Sequence, residues 1–173
     1  MNKTVRNRAV RLLSTLAVLG FGQAFGVAPA QATDPVYTLT NVGSEKCADV
    51  FEGGSEDFAP AVQWQCHAGR SEQWRFTALG NSTYTVTNIN SGKCLNVLAD
   101  RGEDVVPVGQ LRCNSGRAQR WRLTSLGNRV YTIRNLNSGK CLHVLHDNRD
   151  NLAPLVQLTC HSGLSQQWRL SPV

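Results

Sequence analysis

An internal repeat of 47 residues is the feature that most constrains the fold of this chain. A repeat of this length cannot bury its own apolar face, so three copies have to pack around a common core. Taken as 37–83, 84–130 and 131–173, the repeats predict one domain with pseudo-threefold symmetry. Seven landmarks recur at this interval without a gap: Tyr37, Tyr84, Tyr131; Cys47, Cys94, Cys141; Pro60, Pro107, Pro154; Gln63, Gln110, Gln157; Cys66, Cys113, Cys160; Gly69, Gly116, Gly163; Trp74, Trp121, Trp168.

Each repeat carries the pattern of β structure. Residues 37–41, 84–88 and 131–135 alternate large and polar side chains, as half-buried strands do. The sequence Asn-Ser-Gly-Lys at 90–93 and 137–140 is typical of hairpin turns, in which glycine adopts a positive φ. Short apolar segments complete about four strands in each repeat and leave no room for a long helix. We therefore predict an all-β fold of about twelve short strands.

All six cysteines follow the first 32 residues, two in each repeat. Six cysteines allow 15 connectivities. Equal spacing favours pairing within repeats, because only such a pairing treats the three copies alike. In the chain-entropy model each of these loops contributes about 3 kcal/mol. The favoured pairs are Cys47–Cys66, Cys94–Cys113 and Cys141–Cys160. With no Cys-x-x-Cys motif, we expect no metal site and no cofactor.

Residues 1–32 have the composition of a secretory signal peptide. Four basic residues precede an apolar run over 12–28, which ends at the cleavage pattern Ala30-Gln31-Ala32. The alternative is a membrane anchor, but three glycines and a glutamine interrupt the run, and a spanning helix needs about 20 mostly apolar residues. We therefore expect a secreted, extracellular domain over 33–173.

Removal of the leader lowers the net charge of the protein. The whole chain has a net charge of +6, whereas residues 33–173 hold 14 basic and 12 acidic residues, a net of +2. This small net charge removes the main argument for binding to nucleic acid or to an anionic membrane. We expect neither nucleic-acid binding nor membrane insertion, and a monomer. Asn81-Ser-Thr is a glycosylation acceptor only in a source that glycosylates.

The repeat resembles that of ricin B-type lectins and of related carbohydrate-binding modules in bacterial glycosidases. Those proteins show a Cys-Leu-Asp-Val strand, a Gln-Leu-Trp-x-Cys strand and a closing Gln-x-Trp. This chain has Cys-Ala-Asp-Val at 47–50, Gln-Trp-Gln-Cys at 63–66 and Gln-x-Trp at 119–121 and 166–168, with Glu-Gln-Trp at 72–74 as a departure. The resemblance runs from Tyr37 to Leu170. It implies a β-trefoil, a six-stranded barrel capped by three hairpins.

The resemblance also implies where a sugar would bind. Each repeat of the family can use an Asp after the first Cys, an aromatic residue two before the second Cys, and an Asn before the Gln-x-Trp. Repeat 1 places Asp49, Trp64 and Ser71 at these positions. Glu72 replaces the Gln that braces the family site. Its carboxylate would repel Asp49 unless Arg70 or another cation intervenes, or one acid holds a proton.

Repeats 2 and 3 lack this combination. The Asp position holds Asn96 and His143, the aromatic position Leu111 and Leu158, and the Asn position Ala118 and Ser165. Without a ring there is no stacking platform, and without a carboxylate there is no charged acceptor. We therefore predict degenerate sites in both repeats.

Structural roles compete with these assignments. Trp64 could be a core residue and Asp49 a turn residue, although their joint occurrence favours a site. The closing tryptophans Trp74, Trp121 and Trp168 are predicted to form a core layer. His67, His143, His146 and His161 have no metal-binding spacing and are predicted to lie on the surface.

Three functions are compatible with these features. A carbohydrate-binding protein without catalysis is favoured. The alternative is a protein-interaction or inhibitor module on a β-trefoil scaffold that has lost sugar binding, consistent with the lost repeats. The third is an enzyme, but no nucleophile elbow, zinc motif or phosphate loop occurs, and we predict no catalytic residues.

The cleavage pattern predicts a secreted protein that begins near Thr33. The intact mass of the protein recovered from the medium checks this. A full-length mass in a membrane fraction would show that the leader is an anchor.

Overall fold

The computed structural model describes residues 34–173, so the predicted signal peptide lies outside the described residues. This part of the chain is all β, with short 3-10 turns, and none of its helices is long or apolar enough to cross a bilayer. The predicted number of strands is confirmed. The strands are β1 (Val36–Asn41), β2 (Cys47–Val50), β3 (Ala61–Trp64), β4 (Gln73–Gly80), β5 (Thr83–Asn88), β6 (Cys94–Val97), β7 (Val106–Leu111), β8 (Arg120–Gly127), β9 (Val130–Asn135), β10 (Cys141–Val144), β11 (Leu155–Leu158) and β12 (Trp168–Pro172).

Six strands close into a barrel. β1 pairs with β4, β4 with β5, β5 with β8, β8 with β9, β9 with β12, and β12 returns to β1. Every pairing is antiparallel, and two strands come from each repeat. Closure leaves none of these six strands with a free edge. A single repeat supplies only two of the six strands, so it cannot form the barrel alone.

The other six strands form three hairpins, which pair as β2 with β3, β6 with β7 and β10 with β11. Barrel and hairpins together are the β-trefoil that the sequence predicts. A disulfide closes each hairpin within its own repeat, with Cα atoms 5.0–5.1 Å apart in Cys47–Cys66, Cys94–Cys113 and Cys141–Cys160. This is the pairing that the equal spacing of the cysteines favours, and there is no free cysteine in the described residues.

The tight turns that lead into the hairpins show where the repeats differ in strain. Gly92 and Gly139 adopt the positive φ that their turns require, and Glu45 takes the same place in repeat 1 with a φ of 62°. A residue with a side chain in this region is held there only when the surrounding structure determines it. In repeat 1 the side chain of Ser44 supplies such support through its hydrogen bonds to Asn41 and Gln63.

The closing tryptophans form the layer that joins the barrel to the hairpins. Trp74, Trp121 and Trp168 are completely buried. Their indole N–H groups donate to the backbone oxygens of Ala48, Leu95 and Leu142, at 2.9, 2.9 and 3.1 Å. Each acceptor lies in the hairpin strand of the same repeat. The tryptophan thus fills the core and satisfies its polar atom at the same time.

Buried glutamines tie each repeat to the next. The Gln110 amide donates to the backbone oxygens of Gly54 and Glu56 in repeat 1, at 2.9 and 3.0 Å. Its oxygen accepts from the Ser91 hydroxyl at 2.6 Å. Gln63 makes the same bonds to a loop of repeat 3, and Gln157 to a loop of repeat 2. The three links close a ring around the pseudo-threefold axis.

The glutamine ring predicts a large loss of stability when one member is removed. Gln110→Leu keeps the size of the side chain but leaves two backbone oxygens and one hydroxyl without their partner. Since each buried polar group left unpaired costs about 1–3 kcal/mol, we expect the free energy of unfolding to fall by about 3 kcal/mol. Chemical denaturation measures this.

Gln167→Leu is the matched control. Its amide makes a single exposed hydrogen bond, to Ser162. We expect a change within about 0.5 kcal/mol. Equal effects of the two substitutions would contradict the role of the ring.

Candidate functional site

The candidate site is a cavity of about 460 Å³ on the hairpin of repeat 1. Strands β2 and β3 form its base, and the 3-10 turn after β2 forms one side. A loop of repeat 3 contributes a further wall. The residues that line the cavity are Asp49, Val50, Phe51, Glu52, Gly53, Val62, Trp64, His67, Ser71 and Leu152. The structure therefore brings together three of the predicted site residues, Asp49, Trp64 and Ser71.

Asp49 supplies the acidic group of the cavity. It lies on β2 opposite Val62 of β3, and its side chain is only 9% exposed. One carboxylate oxygen accepts the Val50 N–H at 2.7 Å, and the other lies 3.0 Å from Nε2 of His67. A carboxylate can accept about four hydrogen bonds, so acceptor capacity is left for a ligand hydroxyl.

Trp64 supplies the aromatic surface. It ends β3 directly opposite Cys47, and it is 37% exposed. The closing tryptophans, by contrast, are completely buried. The Trp64 ring therefore stands at the rim of the cavity and not in the barrel core. Its equivalents Leu111 and Leu158 are half-buried and have no ring to offer.

Glu72 lies behind the cavity and not in its wall. It is 1% exposed, and its carboxylate accepts the backbone N–H groups of His67 and Ala68, the latter at 2.6 Å. Its equivalents Gln119 and Gln166 also accept a backbone N–H, and their amide groups donate to a backbone oxygen, which a carboxylate cannot do. Glu72 thus braces the loop that carries His67.

The imidazole of His67 lies between the two acids. Its Nε2 is 3.0 Å from Asp49 and 3.7 Å from Glu72. Arg70, which the sequence offered as one candidate, donates instead to the backbone oxygen of Ile89. The sequence alone predicted only a surface position for His67. A polar residue at this point of all three repeats, His67, Asn114 and His161, was the signal that could have found it.

The environment of His67 raises its pKa above the ordinary value of 6.5. The main cause is the hydrogen bond to Asp49, which is opposed by burial and supported by the negative charges of Glu72 and Asp49. Because Nδ1 accepts the Gly69 N–H at 3.1 Å, the neutral ring carries its proton on Nε2, toward Asp49. A Cβ atom at Gly69 would collide with the same ring, which explains the glycine there.

The prediction of surface histidines was wrong for His143. It is 4% exposed, and its Nδ1 has no hydrogen-bond partner. Burial lowers its pKa below 6.5. The reason is positional: His143 occupies the place of Asp49 in its repeat, on a strand that faces the core. His67, His146 and His161 are exposed.

The same cluster contains donors that a metal could use. One atom of each of Asp49, His67 and Glu72 lies within 4.8 Å of the other two. Imidazole and carboxylate are ligands that Zn²⁺ accepts. The hydrogen bonds of His67 already occupy these atoms, so a metal would have to replace the imidazole proton. The hairpin gathers these residues from positions that no local metal motif connects.

Leu152 is the second residue that sequence analysis missed. It belongs to repeat 3, yet it lines the cavity of repeat 1 because its N–H donates to the backbone oxygen of Gln63 at 2.9 Å. It is 47% exposed, and its φ is 67°. Phe58 and Val105 occupy the same place in the other repeats, also exposed and with positive φ. Three apolar residues at the repeat interval were a signal in the sequence.

These features define the protein as a β-trefoil with a pocket on the hairpin of repeat 1. The family model described as ricin-type beta-trefoil lectin domain-like matches residues 22–111, 72–155 and 117–173. The chain belongs to that family. Membership supports a carbohydrate-binding, lectin-like role in general terms. No curated protein matches the chain.

Solved structures agree with this fold. A designed threefold-symmetric protein, ThreeFoil, is 33% identical over 80% of this chain and 99% of its own, with a TM-score of 0.78. An exo-beta-1,3-galactanase from Clostridium thermocellum, 1,3Gal43A, is 29% identical with a TM-score of 0.78; the match covers 80% of this chain and 30% of the enzyme. A ricin B-like lectin from Macrolepiota procera, solved in complex with lactose, is 18% identical to this chain, with a TM-score of 0.68. The match covers 81% of this chain and 96% of the lectin. At this identity the likeness shows the fold alone.

The contacts of His67 predict an unusual titration. Its pKa should lie above 6.5 and that of His143 below 6.5, and NMR of the imidazole signals measures both. Because the folded-state pKa of His67 is raised, its contribution to stability is complete below 6.5 and is lost as the pH rises through the folded-state pKa.

Asp49→Asn removes the carboxylate that is the main cause of the raised pKa of His67, and should move this pKa down toward the ordinary value. Asp57→Asn is the control, because Asp57 pairs with Lys93 at 2.6 Å and not with His67. A His67 that titrates below 6.5 in the unchanged protein would contradict the geometry of the cluster.

Proposed function

We propose that this protein is a secreted, non-catalytic carbohydrate-binding protein with one sugar site, on the hairpin of repeat 1. The observation that carries the proposal is the pairing of an exposed ring, Trp64, with a buried carboxylate, Asp49, on the two sides of one cavity. A pyranose presents an apolar C–H face and a rim of hydroxyls. The ring can pack on the first and the carboxylate can accept from the second.

Each wall of the cavity has a role in this proposal. Asp49 accepts hydrogen bonds from ligand hydroxyls, and charge-assisted bonds of this kind are the stronger ones. Trp64 and Leu152 supply apolar contact from two repeats. Ser71 offers one short hydroxyl, so its contact with a ligand is weak or mediated by water.

His67 and Glu72 position the acceptor. The imidazole next to Asp49 holds the carboxylate in one orientation, and Glu72 holds the loop on which the imidazole stands. Glu72 is too deeply buried to contact a ligand directly. A preorganised acceptor costs less ordering free energy when a ligand binds.

Secretion rests on the leader and on the disulfides. The cleavage pattern at 30–32 predicts export, and three disulfides persist in oxidising compartments. The partner in this proposal is a glycan or polysaccharide. The net charge of +2 after cleavage favours neither nucleic acid nor an anionic membrane, and the protein acts as a monomer.

A second candidate is a protein-interaction or inhibitor module. The exposed loop residue Phe58, at 61% exposure, favours it, together with the loss of ring and carboxylate in repeats 2 and 3. Loops on a rigid scaffold are common places for such contacts. Sugar titration separates the two functions.

We expect weak binding of a monosaccharide, with a Kd on the order of 0.1–1 mM, or roughly 4–5.5 kcal/mol. Titration calorimetry against galactose, xylose and mannose measures it. Trp64→Ala should abolish binding and leave the fold intact, because the ring is outside the core. Asp49→Asn should abolish binding by removal of the charged acceptor.

The matched control is Leu111→Ala, which truncates the equivalent residue of repeat 2 and should leave the affinity unchanged. If Leu111→Ala removes binding while Trp64→Ala does not, the site is misplaced. If no sugar binds the unchanged protein, the interaction module is the better function.

A further inference from the structure

A second cavity of about 450 Å³ opens at the end of the barrel that lies away from the hairpins. Strand β1 enters the barrel at Tyr37 and leaves it at Asn41, where the turn to the first hairpin begins. The tyrosine end is therefore the uncapped end. We call this cavity the barrel mouth; its lining is Pro35, Tyr37, Phe76, Ser82, Tyr84, Leu123, Ser125, Arg129, Tyr131, Leu170 and Pro172.

Each repeat gives the barrel mouth one tyrosine and one large apolar residue. The apolar residues Phe76, Leu123 and Leu170 sit one layer deeper and form its floor. Phe76 meets Tyr37 and Tyr84 edge to face, with ring centroids 5.5 and 5.9 Å apart. The floor is thus an aromatic and aliphatic surface suited to an inserted ring.

The tyrosine hydroxyls and the Arg129 guanidinium of the barrel mouth have no protein partner within residues 34–173. Within residues 34–173 none of the three tyrosine hydroxyls makes a hydrogen bond to another residue. Arg129 is the one charged residue in the lining. Its guanidinium pairs with no carboxylate of the described residues. These groups are free to serve a ligand.

The charge of the barrel mouth is placed on one side. Arg129 lies in the turn between β8 and β9, and the equivalent turn of repeat 1 places Ser82 at the same point. The pseudo-threefold symmetry of the ring of tyrosines is therefore broken by a single cation. A matching ligand has a flat apolar body and one anionic end.

We propose that the barrel mouth binds a small aromatic carboxylate. The ring enters between the tyrosines and rests on Phe76 and Leu123, and the carboxylate pairs with Arg129 at the rim. Arg presents a planar fork of donors that fits a carboxylate. A neutral sugar fits less well, because the lining contains no carboxylate to accept its hydroxyls.

The cavity has the volume of a small-molecule site. Such sites are concave, mainly apolar and of about 300–1,000 Å³, with a few placed polar groups. The barrel mouth is separate from the hairpin pocket, and the two share no lining residue. The proposal is therefore independent of sugar binding.

The experiment titrates the secreted protein with benzoate and, as a neutral analogue, with benzyl alcohol, followed by ligand-observed NMR. We expect benzoate to bind in the millimolar range and benzyl alcohol about ten times more weakly. Arg129→Gln should weaken the binding of benzoate about tenfold and leave the binding of benzyl alcohol unchanged. Ser125→Trp, which fills the barrel mouth from an exposed strand position, should abolish both.

Two controls locate the site. Arg122→Gln removes an exposed arginine from β8, the strand that precedes the turn of Arg129, and should leave benzoate binding unchanged. Trp64→Ala should also leave it unchanged, because that ring belongs to the hairpin pocket. The proposal is overturned if benzoate does not bind the unchanged protein, if Arg129→Gln has no effect, or if Trp64→Ala removes the binding.

Discussion

The structure depends on three buried glutamine side chains that each join two repeats. Every one of them satisfies two backbone oxygens in a loop of a neighbouring repeat and accepts a hydroxyl from its own. Because the three glutamines are completely buried, their amide groups depend on these protein partners. The loops are therefore held against the adjacent hairpins. The wall that Leu152 builds on the cavity of repeat 1 follows from this ring of contacts. Its N–H donates to the backbone oxygen of Gln63, the glutamine whose side chain anchors the same loop.

The backbone has pseudo-threefold symmetry, but the side chains that could bind a ligand differ between the repeats. Repeat 1 carries an acid in place of the glutamine that closes the hairpin loop of the other repeats. The carboxylate of Glu72 then stands behind the pocket, close to that of Asp49 in the pocket wall, and the imidazole of His67 lies between them. The hydrogen bond from the imidazole to Asp49 makes the arrangement tolerable and also orients that carboxylate. The same threefold frame at the barrel mouth carries one unmatched cation, Arg129, among three tyrosines.

Much of this architecture was predictable. The interval of 47 residues, the alternation of the strands and the glycine turns indicated about twelve strands in three repeats that must pack together. The resemblance to ricin B-type lectins implied the β-trefoil. Asp49, Trp64 and Ser71 were found by position within the repeat. His67 and Leu152 were missed, because one acts across a hairpin and the other across a repeat boundary. His143 was assigned to the surface, although its strand position is buried in all three repeats.

The sequence by itself determined the number of strands, the repeat and the residues that could carry chemistry. These properties are local or periodic, so they can be seen along the chain. Only the tertiary structure decided which of them meet. Residues 49, 67 and 72 converge because hairpin pairing brings the ends of β2 and β3 together, and residue 152 reaches them because the glutamine ring fixes one repeat against the next. Distances between repeats depend on closure of the barrel, which no single repeat encodes.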